Sequence, residues 1–408
     1  MPRASASDPT DAPSTEFRRR VLALFGSGFV CAGLFFASNA AAQDNQLAAV
    51  RSTLVPLRAH REERRDTRGA TSELTTAKHQ LRDWIESRLS KFANTGDPDT
   101  IADEFNATLR ESQMFCEEEC LATFFLGYLS DVKVSRERDY LVVQTSLGIY
   151  CGYDESAYVY QWTNNRWQRV FETEQNVYTA KGYAPQTIHA VHISLPGKDG
   201  ERLLLTLGSK PGCASAFQPV YSRVWRLDAR HGSPKLLLQT TEVGYMGRFP
   251  PVKGRVAPDD LLIELSLGGI GYGLSHQVLR HYEIRGDKVK QVDPTEPTPR
   301  DFVEEWLDAP WKQAAERSES AALKEWHDKL HRDDGLGDDP DPALHCSNRP
   351  ELWQVGIERH DQPQKTYYMV RWRTPYRFSM VAVSNQTDPG CTEKDAKPEG
   401  VGTLFPDE

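Results

Sequence analysis

Two periodicities divide the chain. Between Thr71 and Phe92, apolar residues recur at steps of three and four: Leu74, Ala77, Leu81, Trp84, Ile85, Leu89 and Phe92. That spacing lays one stripe along an α-helix, with Ser72 placed to cap it and NTGDPD to end it. A second helix is predicted from Thr100 to Arg110, opening with acidic residues in its first turn. From about Leu126 the pattern changes to apolar–polar alternation, rich in β-branched and aromatic residues and broken by Gly, Asp, Asn and Pro. Alternation of that kind predicts antiparallel strands.

Within the alternating region one segment occurs three times. DYLVVQTSLG starts at Asp139, DGERLLLTLG at Asp199 and DDLLIELSLG at Asp259. The aspartates share a phase, as do Leu147, Leu207 and Leu267 and then Gly148, Gly208 and Gly268. A short strand and turn precede each copy. A polar loop, an aromatic-rich strand (AYVYQW, VYSRVWRL, VLRHYEI), a tight turn and a closing strand follow it. The reading is an antiparallel four-stranded meander of about 60 residues per unit, each needing a neighbour to cover its apolar face. The expected fold class is therefore mainly β with α additions. Its repeats form a propeller-like array, with an open β-sandwich or barrel as the alternative, preceded by an N-terminal helical segment.

The divisions that follow are 1–42, a signal peptide; 43–70, a charged linker; 71–125, the helical segment; and 126–296, three β units. Residues 297–342 read as an amphipathic helical insertion, broken near Pro310 and ending in an acidic linker. Residues 343–408 read as a C-terminal β segment and candidate fourth unit.

The leader rests on Arg18, Arg19 and Arg20, an apolar run from Val21 to Phe36, and the small residues Ala40, Ala41 and Ala42. Basic, apolar and small-residue regions in that order describe secretion, so a periplasmic or secreted location is expected. The alternative is a membrane anchor left uncleaved. No later segment is apolar enough to span a bilayer. The whole chain has a net charge of −9. Setting aside the leader's four basic and three acidic residues leaves −10. Such a surface has little to offer nucleic acid or an anionic membrane, which require phosphates to be neutralised. Six cysteines follow the leader: Cys116, Cys120, Cys151, Cys213, Cys346 and Cys391. An even count in an exported chain suggests disulfides. Cys346–Cys391 is the preferred bridge, with Cys116 and Cys120 joined to each other or to Cys151 and Cys213.

Candidate chemistry is sparse. Gly268, Gly269, Gly271 and Gly273 lack the G-x-G-x-x-G spacing, and an alternating strand follows them rather than a helix, so they do not form a phosphate cradle. No cofactor is predicted. His327 and His331 stand four apart in HDKLH, as in a zinc-protease helix, but Asp328 replaces the glutamate base and no third ligand follows. They are weak metal candidates and read as exposed side chains on a charged helix end. His189 and His192, three apart on a strand, point to opposite faces. Asp333, Asp334, Asp338, Asp339 and Asp341 lack the alternation of a calcium loop. Arg285-Gly286-Asp287 reads as a hairpin turn. If the array has a working face, it is the loops after Gly148, Gly208 and Gly268, which carry Tyr150, Tyr153, Lys210 and Tyr272 as candidate ligand contacts. The expectation is a binding or scaffolding protein of the cell envelope, with protein or small-molecule ligand open. A secreted hydrolase, metal-dependent or otherwise, is the alternative.

Overall fold

In a computed structural model of the chain, the described residues are 45–58, 71–115, 127–149, 152–175, 186–210, 216–227, 233–245, 252–268, 275–292, 296–330, 341–359, 362–374 and 376–394. The protein is mainly β, with several antiparallel sheets and a smaller number of helices. Among the described residues no helix is long and apolar enough to cross a membrane.

Among the described residues three helices come first: α1 (45–58), α2 (Thr71–Leu89) and α3 (Pro98–Glu111). Over 45–58 the first replaces the charged linker read for 43–70, and 59–70 lie outside the described residues. Leu47, Val50, Leu54 and Leu57 are spaced three, four and three apart, and all four are buried in one core with α2 and α3. Helical spacing decides here, and the neighbouring charges lie off the stripe. Asp97 caps α3 by accepting the Thr100 N–H at 2.9 Å, and Pro98 occupies the first turn, where a missing N–H costs nothing.

Sheet 1 is the meander β1 (Lys133–Glu137), β2 (Tyr140–Ile149), β3 (Gly152–Thr163) and β4 (Arg166–Thr173). Sheet 2 contains β5 (Thr187–Ile193), β6 (Arg202–Ser209), β7 (Phe217–Leu227) and β8 (Lys235–Tyr245), paired in sequence order. It continues into β10 (Asp260–Gly268), flanked by β9 (Val252–Val256) and β11 (Ser275–Arg285), with β12 (Lys288–Gln291) outermost. The join between β8 and β10 is one residue pair, Gly244 with Leu267. Sheet 3 has the order β16 (Arg377–Ser384), β15 (Gln362–Thr374), β14 (Leu352–Arg359), β13 (Leu344–Cys346) and β17 (Cys391–Lys394). The predicted Cys346–Cys391 disulfide is present and closes the β13–β17 edge. Cys116, Cys120, Cys151 and Cys213 lie outside the described residues.

Both faces of sheet 1 are apolar, so both are covered. Leu141, Val143, Leu147 and Tyr158 pack under the helices. Tyr140, Val142, Val159 and Phe171 pack against Ile188, Val191 and Leu204 of sheet 2. The opposite face of β6 and β7 (Leu203, Leu205, Leu207, Val220) packs against Val252, Leu261, Ile263 and Val278. Between sheets 2 and 3 the chain forms α4 (Pro299–Asp308), α5 (Trp311–Glu316) and α6 (Leu323–Leu330), whose apolar residues share a core with β14–β16.

One glycine is fixed by close approach. Gly208 pairs with Tyr221 across β6 and β7, and a Cβ there would fall inside the van der Waals envelope of the Tyr221 phenol and the Thr187 carbonyl. Gly208→Ala is therefore expected to lower stability by about 2 kcal/mol, as overpacking does in a filled site. Denaturant melts check this, and a cost within experimental error of zero would show that Tyr221 is not held over the glycine.

Candidate functional site

In three hairpins the strand register sets a buried polar residue opposite a leucine near the strand exit. Leu147 pairs with Asp154, Leu207 with Ser222 and Leu267 with His276. In each case the residue across from the leucine is polar and no more than 2% exposed. The next pair out is Gly148 with Tyr153 and Gly208 with Tyr221, whereas Gly268 meets Ser275. In sheet 3, Gly356 pairs with Tyr367. Buried polar groups at such positions must be partnered, because desolvation without a partner costs several kcal/mol.

Asp154 is partnered by a lysine. Lys78 lies on the buried stripe of α2, 2% exposed, with Nζ 2.8 Å from Asp154 Oδ2 and donating also to the Gln175 carbonyl. On the same helix, His79 Nε2 stands 3.1 Å from Glu174 Oε2, while Tyr158 donates its hydroxyl to Glu174 Oε1 at 2.7 Å. Next to Asp154, Glu155 accepts the Ile188 N–H at 2.6 Å, and the Glu155 and Gln186 backbones are joined by a 3.1 Å bond. Gln186 Nε2 donates back to the Glu155 carbonyl at 3.0 Å, and its Oε1 accepts from Tyr221 at 3.2 Å. A continuous polar path thus runs from α2 through β3 to β7. Burial pushes the Glu155 carboxyl and, further, the Tyr221 phenol above their ordinary values. Lys78 and Asp154 face each other as a buried ion pair, which holds two layers in place and is expensive to break one-sidedly.

The arrangement also places a serine on a histidine. Ser209 Oγ, fully buried, lies 3.0 Å from His189 Nε2. The geometry is that of a nucleophile and base, but the electrostatics are not. Burial lowers the His189 pKa to about 4, and a general base works best when its pKa is near the operating pH. His192, on the same strand, sits with Nδ1 3.6 Å from Glu137 Oε1.

The predicted site residues separate. Tyr153 is half-buried on β3, its phenol pushed up by burial. Lys210 is exposed, and its backbone N–H donates to the Pro219 carbonyl at 2.8 Å. Tyr150, Tyr272, His331 and Asp333, Asp334, Asp338 and Asp339 lie outside the described residues, whereas Asp341 pairs with Lys365. His327 departs from its reading as an exposed side chain: it is 1% exposed, with its ring 4.9 Å from Trp306 and 5.3 Å from Trp311. Its Nε2 faces the Trp306 and Ala309 carbonyls at 3.1 and 3.0 Å, so that nitrogen carries the proton and offers no lone pair to a metal. Among the described residues no three His, Cys, Asp or Glu side chains converge as metal ligands. Gly286 turns the β11–β12 hairpin at φ +55°, and Asp287 is held by both Arg226 and Lys235.

Lys78, Asp154, Gln186 and Tyr221 were not legible as a site from composition. The available signal was Lys78, a charge four residues from Leu74 on an apolar stripe. Its depressed pKa makes His189 the clearest reporter of the site. The unfolded chain binds a proton at His189 below 6.5 and the folded chain only near 4, so this group makes stability rise with pH across that window. The rise is on the order of 2 kcal/mol. In His189→Gln the rise between pH 4 and 6.5 should shrink by that amount, measured by urea melts. An unchanged slope would place the imidazole in water.

No family model matches the chain, and comparison with curated proteins gives no match.

Proposed function

We propose that the chain is an exported binding or scaffolding protein built from repeated four-stranded units in a propeller-like array. In this reading its working face is the end that carries the loops after Gly148, Gly208 and Gly268. The observation that supports the repeat is the register itself. A glycine lies opposite a tyrosine in three meanders, and a leucine lies opposite a buried polar residue in three. Side-chain identity drifts while position is kept, as expected when each unit solves the same packing problem. An open sandwich of the same units is the alternative architecture.

Binding is favoured over catalysis by how the ionisable groups are used. Among the described residues, Lys78, Asp154, Glu155 and Glu174 are spent on contacts between layers. The hydrolase alternative rests on Ser209 and His189, whose imidazole is too acidic to activate a hydroxyl well.

The test uses two arms on the whole protein. A photo-crosslinking residue at Lys210, in the exporting cell, is expected to form a discrete adduct that the same residue at Glu283, near the opposite end of β11, does not. Serine-directed fluorophosphonate should leave Ser209 unlabelled by peptide mass mapping. Labelling of Ser209 that disappears in His189→Gln would replace this reading with the hydrolase.

A further inference from the structure

Helix α4 has two unlike faces, and they join two different sheets. Phe302, Val303, Trp306 and Leu307 lie in the apolar core with β14, β15 and β16. The acidic residues Asp301, Glu304 and Glu305 instead meet β11 around His276. The helix is held in position at its start by Thr298, which caps it, and by Asp301, whose Oδ1 accepts the Gln277 backbone N–H at 2.7 Å.

His276 is 2% exposed and stands between two carboxylates of α4. Nδ1 is 3.5 Å from Glu304 Oε2, and Nε2 is 3.3 Å from Glu305 Oε2. A neutral imidazole has one N–H and one lone pair, so it can favour only one of these oxygens; the imidazolium favours both. Neighbouring cations share the role of His276 at Glu305, but on Glu304 they reach a different oxygen. Arg300 approaches Glu304 with Nε at 3.5 Å, on the other carboxylate oxygen. Arg280 of β11 is shared between Glu305, at 3.3 Å, and Glu242 of β8, to which it donates two hydrogen bonds of 3.1 and 2.8 Å. Arg317 donates to Glu296 at 2.6 Å, and the Glu296 N–H donates to Tyr376 of the β15–β16 turn. Glu304, 2% exposed, therefore relies on His276 for charge on its inner side.

We propose that the His276–Glu304–Glu305 contact is a proton-operated clasp between the third β unit and the C-terminal module. With the imidazolium in place, α4 and the sheet it covers are held against β11. Without that proton, Glu304 faces a neutral ring in a buried site, and the acidic face of α4 separates from β11 while its apolar face stays on β14–β16.

The signs of the neighbouring groups agree. Burial lowers the His276 pKa, but Glu305, Glu304 and Asp301 outweigh it and the net shift is upward. Burial pushes Glu296 up to about 7 and raises Asp301 and Glu304 as well. All four bind protons more tightly in the folded joint, so they favour closure at lower pH and lose that contribution as pH rises through their folded values. Glu305 runs the other way. Although buried, it is held at about 2 by His276 and Arg280, so its contribution is complete above 4.5 and lost only in strong acid. The contributions of His276 and Glu305 are both complete between roughly pH 4.5 and 6.5, and the clasp opens on the alkaline side.

The Gln277 amide, which donates across the joint to Asp301, reports the state directly. Pulse hydrogen exchange on the full chain, corrected for intrinsic rates, should show its protection falling at least tenfold between pH 6 and pH 9. Protection at Tyr368 and Val370 in β15 should stay constant. In His276→Gln the Gln277 amide should be poorly protected throughout, with no step. If that variant does not fold, Glu305→Gln carries the test, because removing one carboxylate should move the step to lower pH. Protection at Gln277 that is level across this range in the native chain would overturn the clasp. So would a step that persists in His276→Gln or stays in place in Glu305→Gln.

Discussion

The structure depends on covering the apolar faces of its sheets. A four-stranded sheet that buries residues on both sides cannot stand alone in water, since each exposed face would leave several large side chains hydrated. Sheet 1 shows the requirement most plainly. One side of β2 and β3 lies under α1, α2 and α3, and the other lies against β5 and β6. The same demand passes along the chain, from β6 and β7 to β9 and β10. For sheet 3, helices α4–α6 provide a cover. The helical parts are thus the outer layers that a stack of two-faced sheets needs, rather than appendages to it.

Apolar contacts between layers are non-directional, and sheets resting only on such contacts could slide. The buried polar groups supply direction. Lys78–Asp154 fixes α2 over β3, Gln186 and Tyr221 fix β7 beside β3, and His276 with Glu304 and Glu305 fixes α4 on β11. Two of these joints, those of Asp154 and His276, occupy the residue across from Leu147 and Leu267, the leucines just before the final glycines of two of the similar segments. Polar residues there sit beside the strand exits. Hydrogen bonding and charge pairing at that point specify an arrangement that hydrophobic burial alone would leave loose.

The strands were legible because alternation with Gly and Asn breaks is a strong local signal. The segments starting at Asp139, Asp199 and Asp259 correspond to β2, β6 and β10. The Cys346–Cys391 disulfide was legible from count and position, and it closes β13 on β17. Helix α1 was hidden by the charges around it, although Leu47, Val50, Leu54 and Leu57 carry its period. His327 looked exposed because its immediate neighbours are charged, while Trp306 and Trp311, which enclose it, stand 21 and 16 positions earlier. The polar network was least legible. Lys78 and Asp154 are 76 positions apart, and a pairing at that range is set by how the layers meet, which no local window contains.

The Lys78–Asp154 pair gives the most direct test of whether these polar groups are joints. A double-mutant cycle with Lys78→Met, Asp154→Leu and the combined variant separates the pair from its surroundings. If the pair is a buried joint, each single change should cost about 3–5 kcal/mol by stranding a charge, and the double change should recover most of that loss. Single changes that cost less than about 1 kcal/mol and simply add would mean that the two charges are solvated. That result would contradict the account.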